Sequence, residues 1–564
     1  MTVENQPGSA VEVGAQAAKG HLEPSPFIGL DPSEVFATLG QLTREAIVTP
    51  MHVVEHESAL AGALLSILTG KAEIAPAKGD KRFFDVAWQS NPFYHMYMQG
   101  YLAWTGALDR YIESTSFDDV VKQRAHFITS LMTDALSPTN MLLGNPAALK
   151  KAVESGGKSL VDGFSNLMKD VVTHNGMPTQ VNMHAFRVGE NLGLSKGAVV
   201  WKNDVMELIQ YGATTAEVHA RPLLIVPPQI NKFYIFDLAP GKSIVEYLLN
   251  GGIQTFIVSW RNPTPAQRHW NMDTYVSSLL DAIDAIRDIT GSDAINLQGA
   301  CVGAITVASL LGYLAATKRS IVNAVTLNVV VMDIGTESVL GLFATKETIA
   351  AAKMNSQRHG VLEGNEMGRI FAWMRPNDLV WNYWVNNYIM GNPPPAFDIL
   401  YWNNDSTRLS ADFHCQLMDV FGDQRLQHAG GMEVLGTPID LHQVDCDKFF
   451  VGGVTDHITP WKGAFRAARV FGGKTEFILS SSGHIQSLIN PPGNPKAKYF
   501  EGTDLPPDPD AWLASAKQVP GSWWDLWRQW LAARSGEMRS APTELGNLRH
   551  PPGVAAPGTY VFEP

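Results

Sequence analysis

The chain has 564 residues, of which 45% are hydrophobic and 17% charged, with a formal net charge of −12. That length exceeds one small core and calls for a large domain with a second region, while the acidic balance excludes a nucleic-acid binder, which needs a basic surface. Three cysteines, Cys301, Cys415 and Cys446, without a C-x-x-C pair, exclude a disulfide framework and a cysteine zinc site, and fit a reducing, cytosolic compartment.

Residues 1–31 are polar and rich in Gly, Ala and Pro, without the basic start and apolar run of a signal peptide. They read as a disordered leader. Residues 32–185 read as a mostly helical domain, opening at the helix start "DPS" (Asp31–Ser33). Within it, His56–Gly70 is too short for the roughly 18 apolar residues of a membrane span, and reads as a buried helix. No other run is long enough, so no membrane span is expected.

A domain over 186–564 follows. Strand-like alternation covers Phe186–Tyr211. Short apolar runs then alternate with helices: a strand at Pro222–Pro228, a helix from Ile244, a strand at Gln254–Trp260, an amphipathic helix at Thr274–Gly291, a strand from Ala294, a helix from Ala304, and a strand at Ala324–Gly335. This alternation predicts a parallel sheet covered on both faces, an α/β fold. The Trp-, Asn- and Pro-rich stretch 336–441 breaks the pattern and reads as a cap insertion over the strand C-termini. Two last strands, in "KFFVGGVTDHITPW" and "TEFILSSSGH", resume the sheet. Near the end, Trp523, Trp527, Trp530 and Leu531 share one helical face, a stripe for packing on the core.

The chemistry centres on "INLQGACVGAITV". With serine at its middle, Gly299-Ala300-Cys301-Val302-Gly303 would be the G-x-S-x-G nucleophile elbow of the α/β-hydrolase fold. The strand-turn-helix context fits, and Gly299 and Gly303 permit the tight turn and close packing. Cys301 then stands at a helix N-terminus, where thiolates are favoured. A cysteine nucleophile needs a base. His484, after the last strand in "SGHIQS", is the candidate. Two carboxylates compete as its partner, Asp333 after "LNVVVM" and Asp456 after "FFVGGVT"; Asp456 fits the chain order nucleophile, acid, histidine. The oxyanion hole should use the backbone N–H of Val302 and a second donor, Ile230 or Asn231, from the loop after the strand "LLIV".

Together these residues resemble the polyhydroxyalkanoate synthases, whose lipase-like box carries cysteine for serine. "RFFDVAWQSNPFYHMYMQGYLAW", "VPPQINKFYIFDL", "MRPNDLVWNYWVNNYIMG", "FDILYWNND", "DHITPW", "SGHIQSLINPPGNPKA" and "GSWWDLWRQWLAARSGE" resemble the family as closely, from about Arg82 to the C-terminus. The resemblance implies polymerisation of (R)-3-hydroxyacyl-CoA into polyester with release of CoA, which is the leaving group, and no cofactor or metal. It implies that Cys301 carries the growing chain as a thioester, that His484 deprotonates Cys301, and that Asp456 helps His484 activate the 3-hydroxyl. Sulfur suits this task, since exchange of one thioester for another is close to thermoneutral and the stored acyl group stays reactive toward an alcohol.

The resemblance also assigns Arg375 to the phosphates of CoA, a match for a guanidinium; the competing reading is an ion pair with Asp378. Among Trp373, Trp381, Trp384 and Trp402, mostly core by residue type, Trp402 is the candidate for the substrate wall. The length resembles the single-subunit synthases, and "YWNNDSTRL", Gln486 and "APGTYV" lean toward those using medium-length side chains. A homodimer, residence on polymer granules and granule coat proteins as partners are further implications. Two rivals remain: an acyl-CoA thioesterase with the same Cys-His-Asp set, and a non-catalytic hydrolase-fold protein of storage granules.

Overall fold

The structure is a computed structural model that describes residues 32–333, 335, 337–502 and 504–564. The leader expected over residues 1–31 lies outside the described residues. The chain divides into two compact units, one up to Asn182 together with Arg369–Ala396, the other Met183–Gly368 with Phe397–Pro564.

The first unit is helical: α1 (Pro32–Val48), α2 (Pro50–Leu68), α3 (Pro92–Ser114), α4 (Asp119–Ala135), α5 (Pro146–Glu154) and α6 (Lys158–Thr173). Its starts are written in the sequence. Asn91 and Asn145 accept first-turn backbone N–H groups ahead of a proline at the first helical position, and Asp118 caps α4. Phe83, Trp88, Met98 and Tyr101 form a buried cluster, beside which Arg82 pairs with Asp80 at 2.9 Å and Asp134 at 3.2 Å. The stretch 369–396, read from sequence as the middle of the cap, packs within this unit. Gly163 of α6 faces the Tyr388 backbone so closely that a β-carbon would collide with its carbonyl. Tyr388 donates its hydroxyl to the buried Asp170 at 2.8 Å, and Asn387 donates to the Thr179 carbonyl at 2.7 Å. The 336–441 stretch is therefore not one body.

The burial expected for His56–Gly70 fails. In α2 only Ile67 is buried, and Leu65 and Leu68 are 63% and 69% exposed. Hydrophobicity reports a preference for burial, not the presence of a neighbour to supply it. No helix among the described residues is long and apolar enough to cross a membrane.

The second unit is built on a ten-stranded sheet. Its strands are β1 (Gly197–Lys202), β2 (Met206–Tyr211), β3 (Leu223–Val226), β4 (Thr255–Trp260), β5 (Ile295–Ala300), β6 (Val322–Asn328), β7 (Asp447–Gly453), β8 (Thr475–Ser480), β9 (Lys498–Gly502) and β10 (Lys517–Pro520). Their spatial order is β1-β2-β4-β3-β5-β6-β7-β8-β9-β10. From β4 through β8 neighbours run parallel, and the outer pairings are antiparallel. β4 and β5 are buried along their whole length, as expected for parallel strands covered on both faces.

Helices connect these strands: α7 (Ile244–Leu249), α8 (Met272–Thr290), α9 (Val302–Ala316), α10 (Trp461–Ala468), α11 (His484–Leu488) and, after β10, α12 (Trp523–Ala532). α9 is apolar all round and buried over nearly its whole length, the pattern of a core helix. The Trp stripe of α12 packs as expected, with Trp523, Trp527, Trp530 and Leu531 all buried.

Two sequence expectations need correction. The strand expected over Ala324–Gly335 ends at Asn328, because Val329 turns to φ 43° and gives its N–H to the Val451 carbonyl at 2.7 Å. Asp333 is therefore not at a strand end. The sheet also does not finish at β8: "KYFEG" and "KQVP" add β9 and β10.

Candidate active site

Cys301 lies between β5 and α9 with φ 51° and ψ −124°, a conformation that side-chain-bearing residues rarely adopt and that costs about 1–3 kcal/mol. The fold enforces it from both sides. The Cys301 N–H donates to the Asn328 carbonyl at the end of β6 at 3.0 Å, and the Cys301 carbonyl accepts the first bonds of α9 from Ala304 at 3.0 Å and Ile305 at 3.3 Å. The flanking glycines are needed for close approach. A β-carbon at Gly299 would stand 2.8 Å from the Ala304 α-carbon, and one at Gly303 would strike the carbonyls of Val226 and Pro227. That second contact lays the loop after β3 against the first turn of α9.

Asp456 and His484 follow β7 and β8. His484 opens α11 and is buried; the Asp456 carboxylate is 0% exposed. Asp456 Oδ2 stands 2.7 Å from His484 Nδ1. Oδ1 accepts the backbone N–H groups of Ile458 at 2.9 Å and Thr459 at 2.8 Å, and Oδ2 accepts the Thr459 hydroxyl at 2.7 Å. Cys301 lies close enough to His484 to act on its proton affinity. The structure thus brings Cys301, His484 and Asp456 into one buried chain.

Burial alone pulls the His484 pKa down, but the charge and hydrogen bond of Asp456, together with the neighbouring Cys301, push it up to about 10. Burial alone pushes Asp456 up; the neighbouring His484 and the Thr459 donors outweigh it and hold the carboxyl below its ordinary value. Asp333, the rival carboxylate, is elsewhere engaged: its oxygens accept Arg466 Nε at 3.1 Å and Nη2 at 3.3 Å.

The loop bearing Ile230 and Asn231 is clamped by the segment 402–407. The Trp402 indole donates to the Lys232 carbonyl at 2.7 Å, the Thr407 hydroxyl to the Gln229 carbonyl at 2.6 Å, and the Thr407 N–H to the Ile230 carbonyl at 3.2 Å. Asn231 bridges Ser406, and Asp405 pairs with Lys232 at 2.8 Å. Gln229 Nε2 donates to Thr306 Oγ1 of α9 at 3.0 Å, tying this loop to the helix that Val302 begins. Trp402 is 2% exposed, and its indole braces the loop. Arg375 pairs with Asp378 three residues on, the alternative that the sequence left open. In the same unit Trp373, Trp381, Trp384 and Tyr388 form an edge-to-face series, and the Trp384 indole donates to the Asn140 carbonyl at 3.1 Å.

Sequence reasoning missed three supports: Thr459, the Gln229–Thr306 tie, and the Trp523 and Trp524 indoles, which donate to the Ser487 and Leu488 carbonyls of α11 at 2.8 and 3.1 Å. Thr459 had a usable signal, since an Asp followed three residues on by Thr and then Pro is a turn pattern with a built-in side-chain bond. Among the described residues no group of three or more His, Cys, Asp or Glu side chains could hold a metal ion.

The strand order, the elbow and the histidine after β8 define an α/β-hydrolase-fold protein with cysteine in the nucleophile position. Comparison with known proteins agrees: residues 222–491 match the model of the alpha/beta hydrolase fold, and residues 79–248 match "Poly-beta-hydroxybutyrate polymerase (PhaC) N-terminus". Poly(3-hydroxyalkanoate) polymerase 1 of Ectopseudomonas oleovorans is 52% identical over 98% of this chain and 99% of its own; polymerase 2 of the same organism is 50% identical over 95% and 96%. The poly(3-hydroxyalkanoate) polymerase subunit PhaC of Cupriavidus necator is 38% identical over 87% and 84%. The chain belongs to the poly(3-hydroxyalkanoate) polymerase family, the polyhydroxyalkanoate synthases.

Proposed function

We propose that the protein polymerises (R)-3-hydroxyacyl-CoA into polyester and releases CoA, with the chain held as a thioester on Cys301. The observation that carries this reading is the buried Cys301–His484–Asp456 chain in a member of this family. His484 Nε2 takes the Cys301 thiol proton, and the thiolate attacks the carbonyl carbon of the CoA thioester. The oxygen of the tetrahedral intermediate is met by the Val302 N–H and by a donor from the loop holding Ile230 and Asn231. CoA leaves as its thiol, taking the proton back from His484. The 3-hydroxyl of another unit then gives its proton to His484 and attacks the Cys301 thioester, forming an ester and freeing the sulfur. Asp456 holds the Nδ1 proton in both halves. The scheme needs no cofactor, because CoA enters with the substrate and departs.

The insoluble, apolar product favours residence at the surface of polymer granules, and the family implies a homodimer and granule coat proteins as partners. Medium-length side chains are the proposed preference.

One assay tests the reading: (R)-3-hydroxyacyl-CoAs of several chain lengths are supplied, CoA is followed with a thiol reagent, and polymer by turbidity. CoA release with turbidity is expected, fastest for medium-length monomers. CoA with soluble acid means a thioesterase, and neither signal means a non-catalytic granule protein.

A further inference from the structure

The geometry points to Thr459 as a fourth member of the catalytic chain, a positioning residue whose hydroxyl fixes the Asp456 carboxylate and the His484 tautomer. This inference rests on the Cys–His–Asp reading above.

Asp456 is wholly buried, so each carboxylate lone pair left without a donor carries a desolvation cost. Two backbone N–H groups satisfy Oδ1; Oδ2 depends on two side chains, His484 Nδ1 at 2.7 Å and the Thr459 hydroxyl at 2.7 Å. The hydroxyl oxygen is also 3.1 Å from His484 Nδ1. Thr459, Asp456 and His484 therefore meet at one small triangle. The Thr459 O–H donates to Oδ2, and its oxygen offers the Nδ1 proton a second acceptor. Both contacts keep that proton on Nδ1, which leaves Nε2 as the lone pair for Cys301. The backbone is committed to this arrangement. Thr459 closes the turn through its own N–H, and Pro460 after it (φ −52°) leads into α10.

The test compares residues that differ only in the hydroxyl: parent against Thr459→Val, and Thr459→Ser against Thr459→Ala. CoA release gives kcat and KM, iodoacetamide alkylation of Cys301 reports the thiol without substrate, and thermal unfolding reports the fold. Loss of one hydrogen bond to a buried charge should lower kcat about tenfold in the Val and Ala variants, with KM within about twofold and slower alkylation. The Ser variant should stay within about twofold of the parent. If Val unfolds the protein, the Ser–Ala pair decides. Equal kcat and alkylation with and without the hydroxyl overturn the inference, as does a Ser variant impaired as much as Ala. A parent that releases no CoA would defeat the polymerase reading instead, and alkylation alone would still judge Thr459.

Discussion

Asp456 reaches His484 Nδ1 at 2.7 Å, whereas Asp333 spends both oxygens on Arg466. Two carboxylates that look alike in sequence thus have separate roles. Asp456→Asn should lower kcat for CoA release by on the order of 10²–10⁴-fold, because an amide no longer secures the productive tautomer. Asp333→Asn should leave kcat within about twofold and cost less than about 1 kcal/mol, since Arg466 is partly exposed and keeps Glu337 at 2.7 Å. Equal losses in the two variants would contradict the assignment.

Cys301 is held at φ 51° and ψ −124°, where glycine is at ease and other residues are strained. Cys301→Ala and Cys301→Gly should both abolish polymer formation and CoA release. Their stabilities should fall in the reverse of the usual order, with the Gly variant about 1 kcal/mol more stable than the Ala variant. Chemical denaturation of the pair measures this, and an Ala variant more stable than Gly would show that the elbow is not strained.

The grouping of Cys301, Asp456 and His484 was legible because its signals are local. Gly299 and Gly303 bracket Cys301, and Asp456 and His484 follow apolar strands in the expected order. The sheet's parallel centre was legible for the same reason, since β3 to β8 are apolar runs. β9 and β10 were not: "KYFEG" and "KQVP" are polar, and they become strands through pairing with β8 and with each other. Asp333 was misplaced because "LNVVVM" reads as one strand, while the turn at Val329 depends on a long-range bond to Val451. The brace that Trp402 gives the Lys232 carbonyl was not legible, because it joins residues 170 positions apart.

His484 gains its proton affinity from Asp456 and Cys301, the titratable groups acting on it. Its folded pKa of about 10 lies above its ordinary 6.5. Its stabilising contribution is therefore complete below about pH 6.5 and lost as pH rises through about 10. Thermal unfolding of the parent and of His484→Gln should show the parent's advantage at pH 6 shrinking steadily toward pH 10. An advantage that is constant or grows with pH would mean that Asp456 and Cys301 do not raise the proton affinity of His484.

Trp524 and Trp527 are both fully buried on α12 but serve different elements. The Trp524 indole N–H goes to the Leu488 carbonyl of α11, the helix that His484 begins, whereas that of Trp527 goes to Thr326 Oγ1 on β6 at 2.8 Å. Replacing either by Phe leaves a buried acceptor short of its donor and a small void, at a cost of about 1–3 kcal/mol. The stability losses should therefore be similar and the kinetic ones should not. Trp524→Phe loosens the helix that aims the imidazole and should lower kcat several-fold with KM little changed, while Trp527→Phe should keep kcat within about twofold. Thermal unfolding and CoA-release kinetics on both variants separate the two roles. Equal kinetic losses would mean that α12 supports the site only through overall stability.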